Sequence, residues 1–264
     1  MSVQPMDLAG RTAWIKRYAL GRRRLSLGPL DLVTRKLGLA PLRPPPHHGG
    51  SRAKETERRR IAELRALGVR VPEVLGENDD TLLLGDIGDS LASRLRAAAG
   101  DARALDALTR TATAAIADAH RRGAYFGQPV PRNITVDAHG AVGFIDFEED
   151  PLEVMTLAQA QARDWLLFAF GMARHYDARP EALADMLGEV MRIEPRPVGR
   201  HARRVGRRLH GLARIVRRLG RSARAFAHAV FVIRGATTWM VLALILLLDW
   251  SGDGELDLLL GIFS

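Results

Sequence analysis

The chain has 264 residues, 47% of them hydrophobic, enough to bury a sizeable core in one large domain or two smaller units; a disordered chain is excluded. It contains no cysteine, so disulfides, thiolate metal sites and cysteine nucleophiles are excluded, and a reducing, cytoplasmic setting is expected. The formal net charge is +9, but the excess is local: Pro195 to Leu248 holds 12 arginines and no acid, leaving 27 basic residues against 30 acidic ones elsewhere.

Residues 1 to 20 lack the apolar run of a signal peptide, so the N-terminus is expected to belong to the fold. "TAWIKRY", residues 12 to 18, reads as a short strand that carries Lys16, one of only three lysines in a chain otherwise committed to arginine. Residues 20 to 50 form an insert containing "RPPPHHGG", where His47 and His48 read as loop residues rather than metal ligands. "SRAKETERRRIAELRALG" predicts a helix opened by Ser51 and closed by Gly68, with Ile61 and Leu64 on its core face. Glu57, four residues before Ile61, shares that face, whereas Glu55 does not. "VRVPEVL" and "DDTLLLGDIG" read as strands, and "LASRLRAAAG" and residues 101 to 121 as helices. The period then changes to alternation: "NITVDAHGAVGFIDF" predicts two strands around a turn from Asp137 to Gly140. From residue 156 onward the pattern is helical, with breaks near Pro180 and at "EPRPVG".

This order, with the residues it carries, resembles the protein-kinase-like superfamily, and within it the bacterial lipopolysaccharide kinases and small serine/threonine kinase-like proteins. The likeness covers roughly residues 10 to 175. It implies an α+β, two-lobed fold: a strand-containing N-lobe over 1–90, a larger helical C-lobe over 91–195, and a further helical region over 196–264. In "WIKRY", Lys16 is similar to the lysine that contacts nucleotide phosphates, and Glu57 to its helix partner. "LLLGDIGDSL" resembles the connection where backbone groups meet adenine. "AHRRGAYFGQPVPRNITVD" resembles the catalytic loop "LHxxGxxHGDxxxxNxLxD", with Asn133 at the asparagine position. Asp146 in "FIDFEED" matches the magnesium-binding aspartate, and Asp164 in "QARDWLLF" the aspartate that supports the loop. The implied cofactors are ATP and Mg²⁺, with Asn133 and Asp146 as metal ligands and Lys16 and Glu57 at the phosphates. That set fits the chemistry, because phosphoryl transfer needs charge neutralised on the triphosphate.

Two features depart from the pattern. Gln128 stands where the family has its catalytic aspartate, and Phe126 where it has the loop histidine; a glutamine orients a hydroxyl but accepts no proton at neutral pH. Glu148, Glu149 and Asp150 are the carboxylates at hand for a substitute base, with a solvated acidic turn as the alternative. Only Gly10 precedes Lys16, so the glycine-rich phosphate loop is absent. The expectation is an ATP- and Mg²⁺-dependent phosphotransferase acting on a hydroxyl of a lipid-linked sugar or protein, with a nucleotide-binding pseudokinase as the alternative.

Beyond those motifs, Val205, Leu209, Leu212, Val216 and Leu219 recur at steps of four and three among arginines, the pattern of a basic amphipathic helix. Such a helix either lies on anionic lipid or packs on the core with a solvated basic face; specific nucleic acid is not expected, since no aromatic interleaving accompanies the charge. Residues 229–248 are mostly apolar, interrupted by Arg234 and followed by Asp249, Asp253, Glu255 and Asp257. They read either as attachment to the inner membrane from its cytoplasmic side or as a buried helix.

Overall fold

The computed structural model describes residues 2–18, 39–46 and 48–219, giving only the backbone for 209–219. The apolar stretch 229–248, His47 and most of the insert from 20 to 50 lie outside the described residues.

The chain opens with an antiparallel hairpin, β1 (Ser2–Leu8) and β2 (Arg11–Arg17). Ala9 and Gly10 both have positive φ, 54° and 79°, the two-residue turn whose twist matches that of paired strands. β1 was not apparent from the sequence, because Pro5 interrupts it; the strand lies at the sheet edge, where a missing N–H is tolerated. After a short 3₁₀ turn at Ala40–Leu42 comes α1 (Gly50–Ala66). Its buried residues Ala53, Thr56, Glu57, Arg60, Ile61 and Leu64 follow helical spacing, so the period that buries Ile61 also buries Glu57. The helix begins one residue before the expected Ser51, capped by the Gly49 backbone without a side-chain hydrogen bond. At its other end Gly68, at φ 70°, lets its own N–H reach Arg65 O and that of Val69 reach Leu64 O.

The expected strand "VRVPEVL" is shorter than the sequence pattern implied. Pro72 removes a ladder donor, and β3 runs only from Val74 to Glu77, antiparallel to β4 (Thr81–Gly85). The first sheet is thus four-stranded and antiparallel in the order β1-β2-β4-β3. A second antiparallel sheet joins β5 (Asp89–Ser90), β6 (Ile134–Val136) and β7 (Val142–Phe144). The turn between β6 and β7 closes through Gly140 N–H to Asp137 O, with the Asp137 carboxylate accepting from His139 and Ala141.

The rest is helical: α2 (Leu91–Ala97), α3 (Ala102–Arg121), α4 (Leu157–Ala173), α5 (Pro180–Ile193) and α6 (Arg196–Leu219). Thr156 and Gln159 form a reciprocal capping box at the start of α4. That helix is apolar on nearly every side, and it buries Trp165, Leu167, Phe168 and Met172 between its neighbours. Each such side chain contributes roughly 1.5–3 kcal/mol by leaving water. One continuous buried cluster runs from Tyr18 through Leu82, Ile116 and Phe168 to Val205. The architecture is therefore α+β, with a small antiparallel sheet and one helix leading into several packed helices. Among the described residues no helix is long and apolar enough to cross a membrane.

Candidate functional site

Strand alternation turns Lys16 inward beside Val3 and Leu82, its partners across β2, and the side chain is 5% exposed. Three carboxylates surround its ammonium: Glu57 Oε2 at 2.6 Å, Asp146 Oδ1 at 2.7 Å and Glu148 Oε1 at 3.0 Å. Burial acts to lower the lysine pKa, yet these three outweigh it and hold the ammonium well above its ordinary value. Burial pushes the Glu57 carboxyl up against the pull of Lys16. Glu57 is saturated: Tyr18 donates its hydroxyl at 2.6 Å and Phe147 its N–H at 3.4 Å. Asp146 and Glu148 are the open side of the cluster, 32% and 15% exposed.

Asp146 holds φ 73°, a left-handed conformation that a short polar residue tolerates at some cost. Next to it, Ile145 donates its N–H to Asn133 O at 3.0 Å, so the backbones of the two expected metal ligands run side by side. The Asn133 amide nitrogen donates to Gln128 O, which fixes that side chain. Among the described residues the one group of acids able to share a cation is Glu57, Asp146 and Glu148, whose oxygens lie within 4.8 Å of one another. Carboxylate oxygens, partly open on the side of Asp146 and Glu148, are hard donors of the kind that suits a divalent cation.

The segment before Asn133 is held from beneath by α4. Fully buried Asp164 accepts from the N–H groups of Phe126 and Gly127, each at 2.7 Å, and contacts His120 Nε2 at 3.2 Å. The other ring nitrogen of His120 meets Glu194 at 2.9 Å. Burial opposes the charged imidazole, but these two carboxylates raise its pKa overall. Arg163 reaches Gly127 O at 3.0 Å and Arg43 O at 3.2 Å, tying the end of the insert to the loop; burial lowers its pKa to about 10. Gly127 itself has φ 88°, and a Cβ there would stand 3.0 Å from Pro151.

The three carboxylates after Asp146 do not form a solvated turn; each has its own partner. Glu148 meets Lys16, Glu149 accepts from Gln128 Nε2 at 2.9 Å, and Asp150 is buried against Tyr125 OH and Arg59. Burial works upward on Asp150, yet the Tyr125 and Arg59 hydrogen bonds hold it below the usual carboxylate range. His48 meets Glu153 at 3.1 Å and belongs to no metal-binding group among the described residues.

The structure thus gathers Lys16, Glu57 and Asp146 at one point, runs Asn133 beside Asp146, and sets Gln128 against Glu149. Sequence reasoning missed Tyr18 as a Glu57 partner, and it missed His120, Arg163 and Glu194. For His120 and Arg163 the only signal was an ionisable residue within a helical stretch that also carries core positions; Tyr18 and Glu194, just past the ends of their elements, gave none. Trp14, two positions before Lys16 on the same strand face, is 36% exposed, and its indole N–H is anchored to Asp86 at 2.8 Å. No family model and no curated protein matches this chain.

Proposed function

We propose that the chain has a two-lobed, protein-kinase-like fold and is a phosphotransferase that uses ATP with Mg²⁺ to phosphorylate a hydroxyl. The observation that carries this reading is the Lys16 ammonium, bridged at 2.6 Å to Glu57 and 2.7 Å to Asp146 from elements far apart in sequence. A buried lysine with a raised pKa is a fixed positive charge for nucleotide phosphates, and Glu57 with Tyr18 holds it in place. Asp146 and Asn133 would hold Mg²⁺, which supplies charge neutralisation on the triphosphate. The acceptor is a hydroxyl of a lipid-linked sugar, as in lipopolysaccharide kinases, or of a protein serine or threonine.

Among the substitute bases we take Glu149, because it is the carboxylate in contact with Gln128, the residue at the loop position where the family has its base. Gln128 donates its amide to Glu149 and so positions that carboxylate. In the transfer, the acceptor oxygen bonds to the γ-phosphorus as the bond to the β-bridging oxygen breaks. Glu149 takes the hydroxyl proton and ADP leaves.

Isothermal titration of ATP tests the reading. Asp146→Asn is a suitable control, since asparagine also tolerates positive φ. Binding that requires both Mg²⁺ and Asp146 is expected; folded protein that binds no ATP would refute the reading. The second reading, a nucleotide-binding pseudokinase, is favoured by Gln128 in place of a base. Transfer gained in Gln128→Asp but absent from the wild type would select it.

A further inference from the structure

Helix α6 has two faces with opposite fates. Val198, Ala202 and Val205 are fully buried in the core shared with α4, so for this part of the helix the protein itself, not lipid, covers the apolar stripe. Arg196, Arg200, Arg203 and Arg207 follow at steps of four, three and four; at 100° per residue they form a row directly opposite, and all four are exposed. The row extends about 16 Å along the axis. Among the described residues no carboxylate lies on α6 or pairs with these four side chains. Burial, then Arg204 and Arg200, lowers the pKa of neighbouring His201, as expected beside uncompensated positive charge.

A straight row of cations on a convex helix presents itself to a flat polyanion rather than to a narrow ligand. The α6 sequence contains no Phe, Tyr or Trp to stack on bases, which disfavours nucleic acid. The chain continues from this helix through further arginines into the apolar stretch 229–248, which favours a bilayer. We infer that the Arg196–Arg200–Arg203–Arg207 face of α6 docks the protein onto an anionic phospholipid surface through headgroup phosphates. The apolar side of the same segment stays in the protein core. The inference stands apart from the nucleotide reading, because it uses none of its residues.

The test is co-sedimentation of the full chain with vesicles of phosphatidylglycerol and phosphatidylcholine, against pure phosphatidylcholine, across a salt series. Wild type should bind the anionic vesicles, with affinity falling as salt rises. The R196Q/R200Q/R203Q/R207Q variant should bind them about 100- to 1,000-fold more weakly, near fivefold per arginine. The corresponding four-lysine variant should stay within about threefold of wild type, because charge rather than fork geometry is at work. Equal wild-type binding to pure phosphatidylcholine, or an undiminished glutamine variant, would overturn the inference in favour of apolar contact elsewhere. Tighter binding to a short DNA duplex than to anionic vesicles would overturn it in favour of nucleic acid. Circular dichroism of both variants confirms folding, since all four side chains are exposed.

Discussion

Lys16 and Arg203 are both cations on regular elements, yet their surroundings are opposite. Around Lys16 three carboxylates crowd one buried ammonium, so negative charge is in excess and every contact is short. On α6 Arg196, Arg200, Arg203 and Arg207 stand in solvent with no acid on their helix, so positive charge is in excess. Inside, desolvation makes each charge dependent on its partners and fixes geometry at high energetic stake. Outside, the same kind of charge adds almost nothing to stability and acts at a distance, subject to salt. The comparison separates residues that build a site from residues that bring the molecule to a surface.

The largest expected break comes from Lys16→Met, which leaves three carboxylates facing one another without a cation. A loss of about 3–5 kcal/mol in urea unfolding is expected. Adding Glu57→Gln should recover part of it; a loss no greater than that of a surface substitution would show that the cluster is not held together by its lysine.

His120 tests the same logic through pH. Its folded pKa is raised above 6.5, so its pairing with Asp164 and Glu194 contributes fully below its unfolded pKa. That contribution fades as pH rises through the folded value. His120→Gln should therefore cost about 2–3 kcal/mol at pH 5.5, and the gap to wild type should narrow at alkaline pH. A gap that widens instead would mean that the imidazole is held neutral.

A smaller effect is expected at Gly127→Ala, where φ 88° and the nearby Pro151 both resist a side chain. About 1–2 kcal/mol should be lost in thermal or urea unfolding. The smallest effect belongs to the exposed face: the four-glutamine variant of α6 should stay within about 0.5 kcal/mol of wild type per substitution. That null result in stability, beside a large change in vesicle binding, would sharpen the contrast between the two regions.

Much of the architecture was legible because its signals are local. The helical period that marked Ile61 and Leu64 also marked Glu57, since any residue four positions away shares the face. The turn at Asp137 to Gly140 announced its hairpin, and the breaks at Pro180 and Pro195 separated α4, α5 and α6. Where a local rule was diluted, the reading failed. Pro5 concealed β1, Pro72 shortened β3, and for three successive acids a functional role and a solvated turn stayed equally open until each was seen with its own partner.

By itself the sequence determined the order of most elements from β2 onward, the inward placement of Glu57, and the run of arginines without acids that follows Pro195. Periodicity and composition are properties of neighbouring residues, so the chain carries them without needing to fold. Only the tertiary structure decided that Asp146 and Glu148 reach Lys16 across 130 and 132 positions, and that Gln128 leans on Glu149. It also decided that Asp164 and Glu194 share one buried histidine, and that the apolar side of α6 belongs to the core from Val198 to Val205. Those outcomes depend on which charges lose their water together, and desolvation is set by packing rather than by sequence distance.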